Sequence, residues 1–319
     1  MARALIFILT LIGLAAAAWI VRSVGVAPVL LSITRVGWTG FALYCAYSLV
    51  VLALLGIAWR AVAPGGGPVL AFAWARTVRE GATDVLPFAQ IGGLVVGGRV
   101  LTARGVPGDL VYASMIADMT TEMGSQAVFT LFGVGALVMA LGGGSDGGGV
   151  LRLVFGGTGL ALVLLAAVVF GQQPMLRLAG RLAARVLPAS VTSFDAVAAR
   201  LATIYRARAG LALSFTLNLA AWLASAWGAW LALHLIGSRA GVGAVIAIEA
   251  LIFAIRSIAF VVPGALGIQE GAYAVLAPLF GIDPGVAVAL SLLKRARDLA
   301  IGVPALIVWQ AGEGRRLFA

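Results

Sequence analysis

The sequence predicts an all-α, polytopic helical membrane protein with two proline-broken hairpins, and three observations lead there. Hydrophobic residues make up 62% of the 319 and charged residues only 11%, whereas soluble chains average about 25% charged. Six windows, 4–21, 38–59, 123–141, 150–170, 210–236 and 241–262, reach the roughly 18 apolar residues that mark a spanning helix. Two apolar stretches are broken by proline and carry charge: Asp84-Val-Leu-Pro87-Phe-Ala-Gln90-Ile-Gly-Gly93 and Val261-Val-Pro263-Gly-Ala-Leu-Gly267-Ile-Gln269-Glu270-Gly271. Backbone breaks at membrane depth survive only where protein or a water-filled cavity covers the freed amides.

Taken in order, the run 4–21 continues through Trp19 to Val21 without a turn and reads as a retained first span rather than a cleaved leader. The span 38–59 follows, then a broken pair at 69–86 and 88–104, a helix over 108–141 and a span at 150–170. Glycine-rich connections at 64–68 and 142–149 lack the Gly-Lys-Ser/Thr of a phosphate loop. In the connection 172–209, Arg177, Arg181 and Arg185 recur every four residues, and Arg200, Arg206 and Arg208 follow. That pattern predicts amphipathic helices on a membrane surface, with anionic lipid headgroups as partners. The second part repeats the plan, with a span at 210–236, a broken pair at 241–262 and 264–280, and a last span. The positive-inside rule places 172–209 and Gly314-Arg315-Arg316 in the cytoplasm and 22–37 outside, where Arg22 and Arg35 run against it.

An offset of 176 residues carries Pro87 onto Pro263, Gly105 onto Gly281, Asp118 onto Lys294 and Glu122 onto Asp298. The expected organisation is a single transmembrane domain over 1–319, with one repeat at 38–170 and a second at 210–310. An odd number of crossings separates equivalent points, so the repeats would be inverted, a plan used by transporters.

The net charge of +10 sits in connections between spans, which points to lipid headgroups and excludes nucleic acid as a partner. Cys45 and His234 are each the only residue of their type, so no metal site and no cofactor is expected. Asp118 and Glu122 share a helix face, as do Lys294 and Asp298, with Arg297 beside them. An unpaired charge at the bilayer centre costs about 2.5–3.5 kcal/mol on insertion scales. These groups therefore pair with one another as scaffold, or they meet a ligand. In the second reading Lys294 and Arg297 hold a phosphate or polyol headgroup, and Asp118, Glu122 or Glu270 accept hydrogen bonds. The expected cavity lining is Gln90, Asp118, Glu122, Gln269, Glu270, Lys294, Arg297 and Asp298. Glu249 and Arg256 read as an internal pair two turns apart, and the Gly93/Gly97 face as close helix packing. No nucleophile elbow, HExxH helix or nucleotide loop is present, so the chain is expected not to be an enzyme. A lipid-modifying membrane enzyme built from scattered polar residues is the alternative.

The first motif with Arg99-Val-Leu101, the second from Val262 to Gly271, and Leu290-Ser-Leu-Leu-Lys-Arg-Ala-Arg-Asp298 resemble the flippase-like transmembrane family that includes the membrane half of lysylphosphatidylglycerol synthase. Within it, the chain is most similar to the hopanoid-biosynthesis-associated membrane proteins. The resemblance implies a multi-pass protein of the bacterial inner membrane that moves a lipid, hopanoid or phospholipid. It also implies hopanoid-processing proteins as partners, for which the chain could serve as a scaffold.

Overall fold

The computed structural model describes residues 26–85, 89–141, 191–258 and 265–317, with isolated helical positions at 19, 22 and 159. All regular structure among them is helical: α1 (Val26–Ala61), α2 (Val69–Val85), α3 (Ala89–Thr102), α4 (Gly108–Leu141), α5 (Val191–Arg206), α6 (Arg208–Ile236), α7 (Val242–Ile258), α8 (Ile268–Leu276), a 3₁₀ turn (Ala277–Phe280) and α9 (Pro284–Leu317). Several expectations lie outside the described residues. They are both break prolines, Pro87 and Pro263, the bulk of the 4–21 and 150–170 spans, the glycine run 142–149, the arginines at 177, 181 and 185, and the side chain of Gln90.

Among the described residues three segments are long and apolar enough to cross a membrane: Leu30–Ala61, Gly108–Met139 and Arg208–Ile236. The first is two helices joined at Gly37, whose φ of 62° and ψ of 173° leave the helical region, a conformation glycine tolerates without a Cβ clash. The expected window began one residue beyond that kink, at Trp38.

The hairpin arms are shorter. At 1.5 Å per residue, α2 (17 residues) and α3 (14 residues) run about 25 and 21 Å, less than the roughly 30 Å of a hydrocarbon core. The second hairpin pairs the 17-residue α7 with the nine-residue α8. Glycine lets these arms approach neighbours closely. A Cβ on Gly93 would fall 2.1 Å from Thr83 Oγ1 and one on Gly97 3.0 Å from Arg79 Cβ, so the GxxxG face of α3 packs against α2. A Cβ on Gly81 of α2 would fall 2.8 Å from the Cα of Gly302 on α9.

Two large apolar cores and two smaller clusters result among the described residues. One large core gathers Trp59 from α1, Phe72 from α2, Leu101 from α3, Val111 from α4 and Leu201 from α5. The other gathers Tyr44 from α1, Leu233 from α6, Ile252 from α7, Tyr273 from α8 and Leu293 from α9. Helices α1 and α6 run between the cores in opposite directions. Gly40 faces Leu235, the Tyr47 hydroxyl donates to the Ala224 carbonyl at 2.8 Å, and Gly210 abuts Ala61.

The order long helix, 17-residue helix, short helix, 34-residue helix occurs twice, as α1 to α4 and as α6 to α9. Gly105 before α4 and Gly281 before α9 both have positive φ, 83° and 75°. Contacts follow the same correspondence. Helix α2 packs on α9 as α7 packs on α4, and α1 packs on α9 as α6 packs on α4.

Candidate functional site

The site is built on α2. Its apolar positions Phe72, Ala75, Val78 and Ala82 face the first core, and Arg76 and Arg79 are buried among them. Such cations must be paired. Arg76 hydrogen-bonds Asp118 at 3.2 Å and Glu122 at 3.0 Å, both on α4, and pairs with Glu80 at 2.9 Å. Arg79 lies 3.6 Å from each of the same two α4 carboxylates. Asn218 of α6 donates to Asp118 at 3.4 Å, and Thr121 and Ser214 join through their hydroxyls at 2.8 Å.

A second cluster stands on α7, α8 and α9. Lys294 donates to Glu249 at 2.5 Å and to the Tyr273 hydroxyl at 2.9 Å, while Tyr273 donates to Glu249 in turn. Lys294 Nζ also lies 5.3 Å from the Phe253 ring centre, a favourable cation–π position. One turn on, Arg297 pairs with Asp298, donates to the Tyr44 hydroxyl at 3.2 Å and sits over that ring at 5.3 Å.

Between the clusters lies a cavity of about 400 Å³. Its polar lining includes Arg76, Arg79, Glu80 and Asp84 from α2, Glu122 and Gln126 from α4, Arg256 and Ser257 from α7, and Lys294, Arg297 and Asp298 from α9. Tyr44, Tyr47, Trp222 and Phe253 contribute aromatic surface. Asp84 and Arg256 face each other at 3.9 Å. Each charged side chain on the wall has an opposite charge within reach, so the cavity presents both charge signs beside aromatic rings.

Of the residues expected from the sequence, Glu122, Lys294, Arg297 and Asp298 line the cavity. Asp118 stands behind them and fixes Arg76 and Arg79. Gln269 and Glu270 are not among the lining residues. Gln269 donates to Ser291 at 2.8 Å, Ser291 to Glu270 at 3.2 Å, and Glu270 pairs with Arg295 while accepting the Gly267 amide at 2.8 Å. This knot caps α8 and ties it to α9, a structural use of a carboxylate at a helix N-terminus. Lys294 and Arg297 each pair with a protein carboxylate, Glu249 and Asp298. Glu249 and Arg256 do not pair with each other, because seven residues separate their side chains by two full turns; each finds a partner on another helix.

Arg76, Glu80 and Asp84, spaced four apart on one face of α2, were missed as site residues. That i, i+4 recurrence inside an apolar arm was the available signal.

A polytopic helical membrane protein with a charge-paired cavity between broken hairpins is the class that fold and site define. Residues 5–305 match the family described as the lysylphosphatidylglycerol synthase TM region, and the chain belongs to that family. No curated protein and no solved structure matches the chain. Membership makes it a membrane protein of lipid metabolism or transport. It also corrects one expectation. The absence of linear catalytic motifs was read as excluding an enzyme, yet the family takes its description from a synthase. Linear motifs are blind to polar residues assembled from α2, α4, α7 and α9, so their absence carries no such exclusion.

Proposed function

We propose that this chain is a bacterial inner-membrane lipid transporter of flippase-like action, working on hopanoids or phospholipids, whose cavity takes the lipid headgroup while the tails stay in the bilayer. The observation that carries the reading is the charge-paired cavity between two helix-broken hairpins in a membrane protein of a lipid-related family. Transporters place substrate sites between such broken helices near the midplane. The antiparallel course of α1 and α6, with the recurring helix order on either side, supports an inverted repeat of 38–170 and 210–310. One buried donor on a lining residue, Trp222 Nε1, has no protein acceptor, and a headgroup oxygen supplies what it lacks. In this reading Glu122, Lys294, Arg297 and Asp298 contact the headgroup, Asp118 positions the arginines of α2, and Gln90, Gln269 and Glu270 support the hairpins. Arg200, Arg206 and Arg208 of the basic connection meet anionic lipid headgroups, and hopanoid-processing proteins are the partners.

Lipid mass spectrometry on separated inner and outer membranes, with and without the protein, tests this. Redistribution of a lipid with no species lost is the expected result. Loss of a lipid species instead supports a second reading, a membrane-embedded lipid-modifying enzyme, which the synthase description of the family favours. Neither change, with copurifying lipid-processing proteins, leaves a scaffold.

A further inference from the structure

Asp84 lies in the last turn of α2 and Arg256 in the last turn of α7. Among the described residues, theirs is the one ion pair that joins α1–α4 to α6–α9; the others stay within a half or involve α5. At 3.9 Å it is the longest of them, and about a quarter of each side chain is exposed. Both residues line the cavity.

The placement is electrostatically asymmetric. A helix C-terminus carries partial negative charge, which favours Arg256 at the end of α7 and disfavours Asp84 at the end of α2. Asp84 thus depends on cations outside its own helix; Arg256 of α7 is the one within ion-pair distance, and Arg297 of α9 is within electrostatic reach. Each helix end also has an anchor that does not involve the pair. Gln126 of α4 donates to the Phe253 carbonyl at 3.2 Å and to Ser257, so α4 holds the end of α7 independently of Asp84. One turn before Asp84, α2 meets α9 backbone to backbone at Gly81 and Gly302, with Val85 packed on Gly302, so α9 holds the end of α2 independently of Arg256.

We infer that Asp84 and Arg256 form an exchangeable strap across the cavity. The headgroup that opens it is zwitterionic, an ammonium replacing Arg256 at Asp84 and a phosphodiester replacing Asp84 at Arg256. A headgroup of one sign satisfies only one end and leaves the other charge stranded in the membrane, which is unfavourable. The inference rests on the lipid-headgroup reading of the cavity but concerns a movement that can be measured without transport.

The test uses spin labels at Val85→Cys and Ile258→Cys, the last residues of α2 and α7, in a Cys45→Ser chain that keeps Asp84 and Arg256. Distances are read in vesicles of phosphatidylglycerol alone and in vesicles where part of it is replaced by phosphatidylethanolamine. The expected result is one short population in the first and a second, longer one in the mixture. Asp84→Asn and, independently, Arg256→Gln should show the longer population in both. The same distribution in every vesicle and variant overturns the strap, and an equal shift in both vesicles overturns the zwitterionic assignment. A fluorescent-lipid translocation assay on the same preparations separates the two readings. Distances that respond without lipid movement keep the strap and remove transport, whereas movement without a distance response does the reverse.

Discussion

The two halves of the molecule bury an ion pair at the same place with opposite polarity. In the first half the eighth residue of α2 is Arg76 and the eleventh of α4 is Asp118; in the second half the eighth of α7 is Glu249 and the eleventh of α9 is Lys294. Each pair clamps the first arm of a hairpin to the long helix that follows it. Reversal of sign at a kept position shows that the clamp requires complementarity, not a particular charge. The halves differ in what surrounds the clamp. Arg76 shares its two α4 carboxylates with Arg79, whereas Glu249 and Lys294 close on a single hydroxyl, Tyr273. One is a spread network and the other a compact triad, so the second should be the more sensitive to loss of one member.

The largest effect is expected from Lys294→Ala. It strands Glu249 in an apolar core, and breaking a buried pair in this way costs about 3–5 kcal/mol. Thermal unfolding in detergent should show a large drop. Glu249→Gln with Lys294→Met, which removes both charges, should lie near wild type, and an equally damaged double variant would break the clamp description. Asp118→Asn leaves Arg76 with Glu122 and Glu80, so its loss should be smaller than that of Lys294→Ala. Equal losses would mean that the spread network offers no redundancy.

Next in size is Tyr273→Phe, which removes a hydroxyl shared by two ions. Hydrogen bonds to charged groups contribute about 1.5–3 kcal/mol, read in the same unfolding experiment. Gly302→Ala should cost about 1–3 kcal/mol through overpacking against Gly81, and Gly81→Ala the same. Asp84→Asn should cost less than Lys294→Ala, because its ion pair is the longest among the described residues, at 3.9 Å, with about a quarter of each side chain exposed, while altering lipid movement in the translocation assay. A destabilisation as large as that of Lys294→Ala would place Asp84 among the clamps and not in a moving strap.

Glu122, Lys294, Arg297 and Asp298 were legible as cavity residues because charge inside a span needs an explanation. Glu270 met the same criterion but serves as a helix cap, since a carboxylate at a helix start satisfies the criterion without any ligand. Asp118 was legible as buried charge but not as a residue that holds others from behind. Arg76, Arg79 and Glu80 went unread because their arm looked like an ordinary short span with polar interruptions.

The sequence by itself determined the membrane class, the helical composition and the positions of the hairpin arms. All of these follow from hydropathy, proline and glycine, whose effects act within a few residues. Tertiary structure alone decided which charge meets which. Arg76 reaches Asp118 across 42 residues and Lys294 reaches Glu249 across 45, and Glu249 passes over Arg256 on its own helix to do so. Partner choice depends on which helices lie side by side, a property of packing that no local stretch of sequence contains.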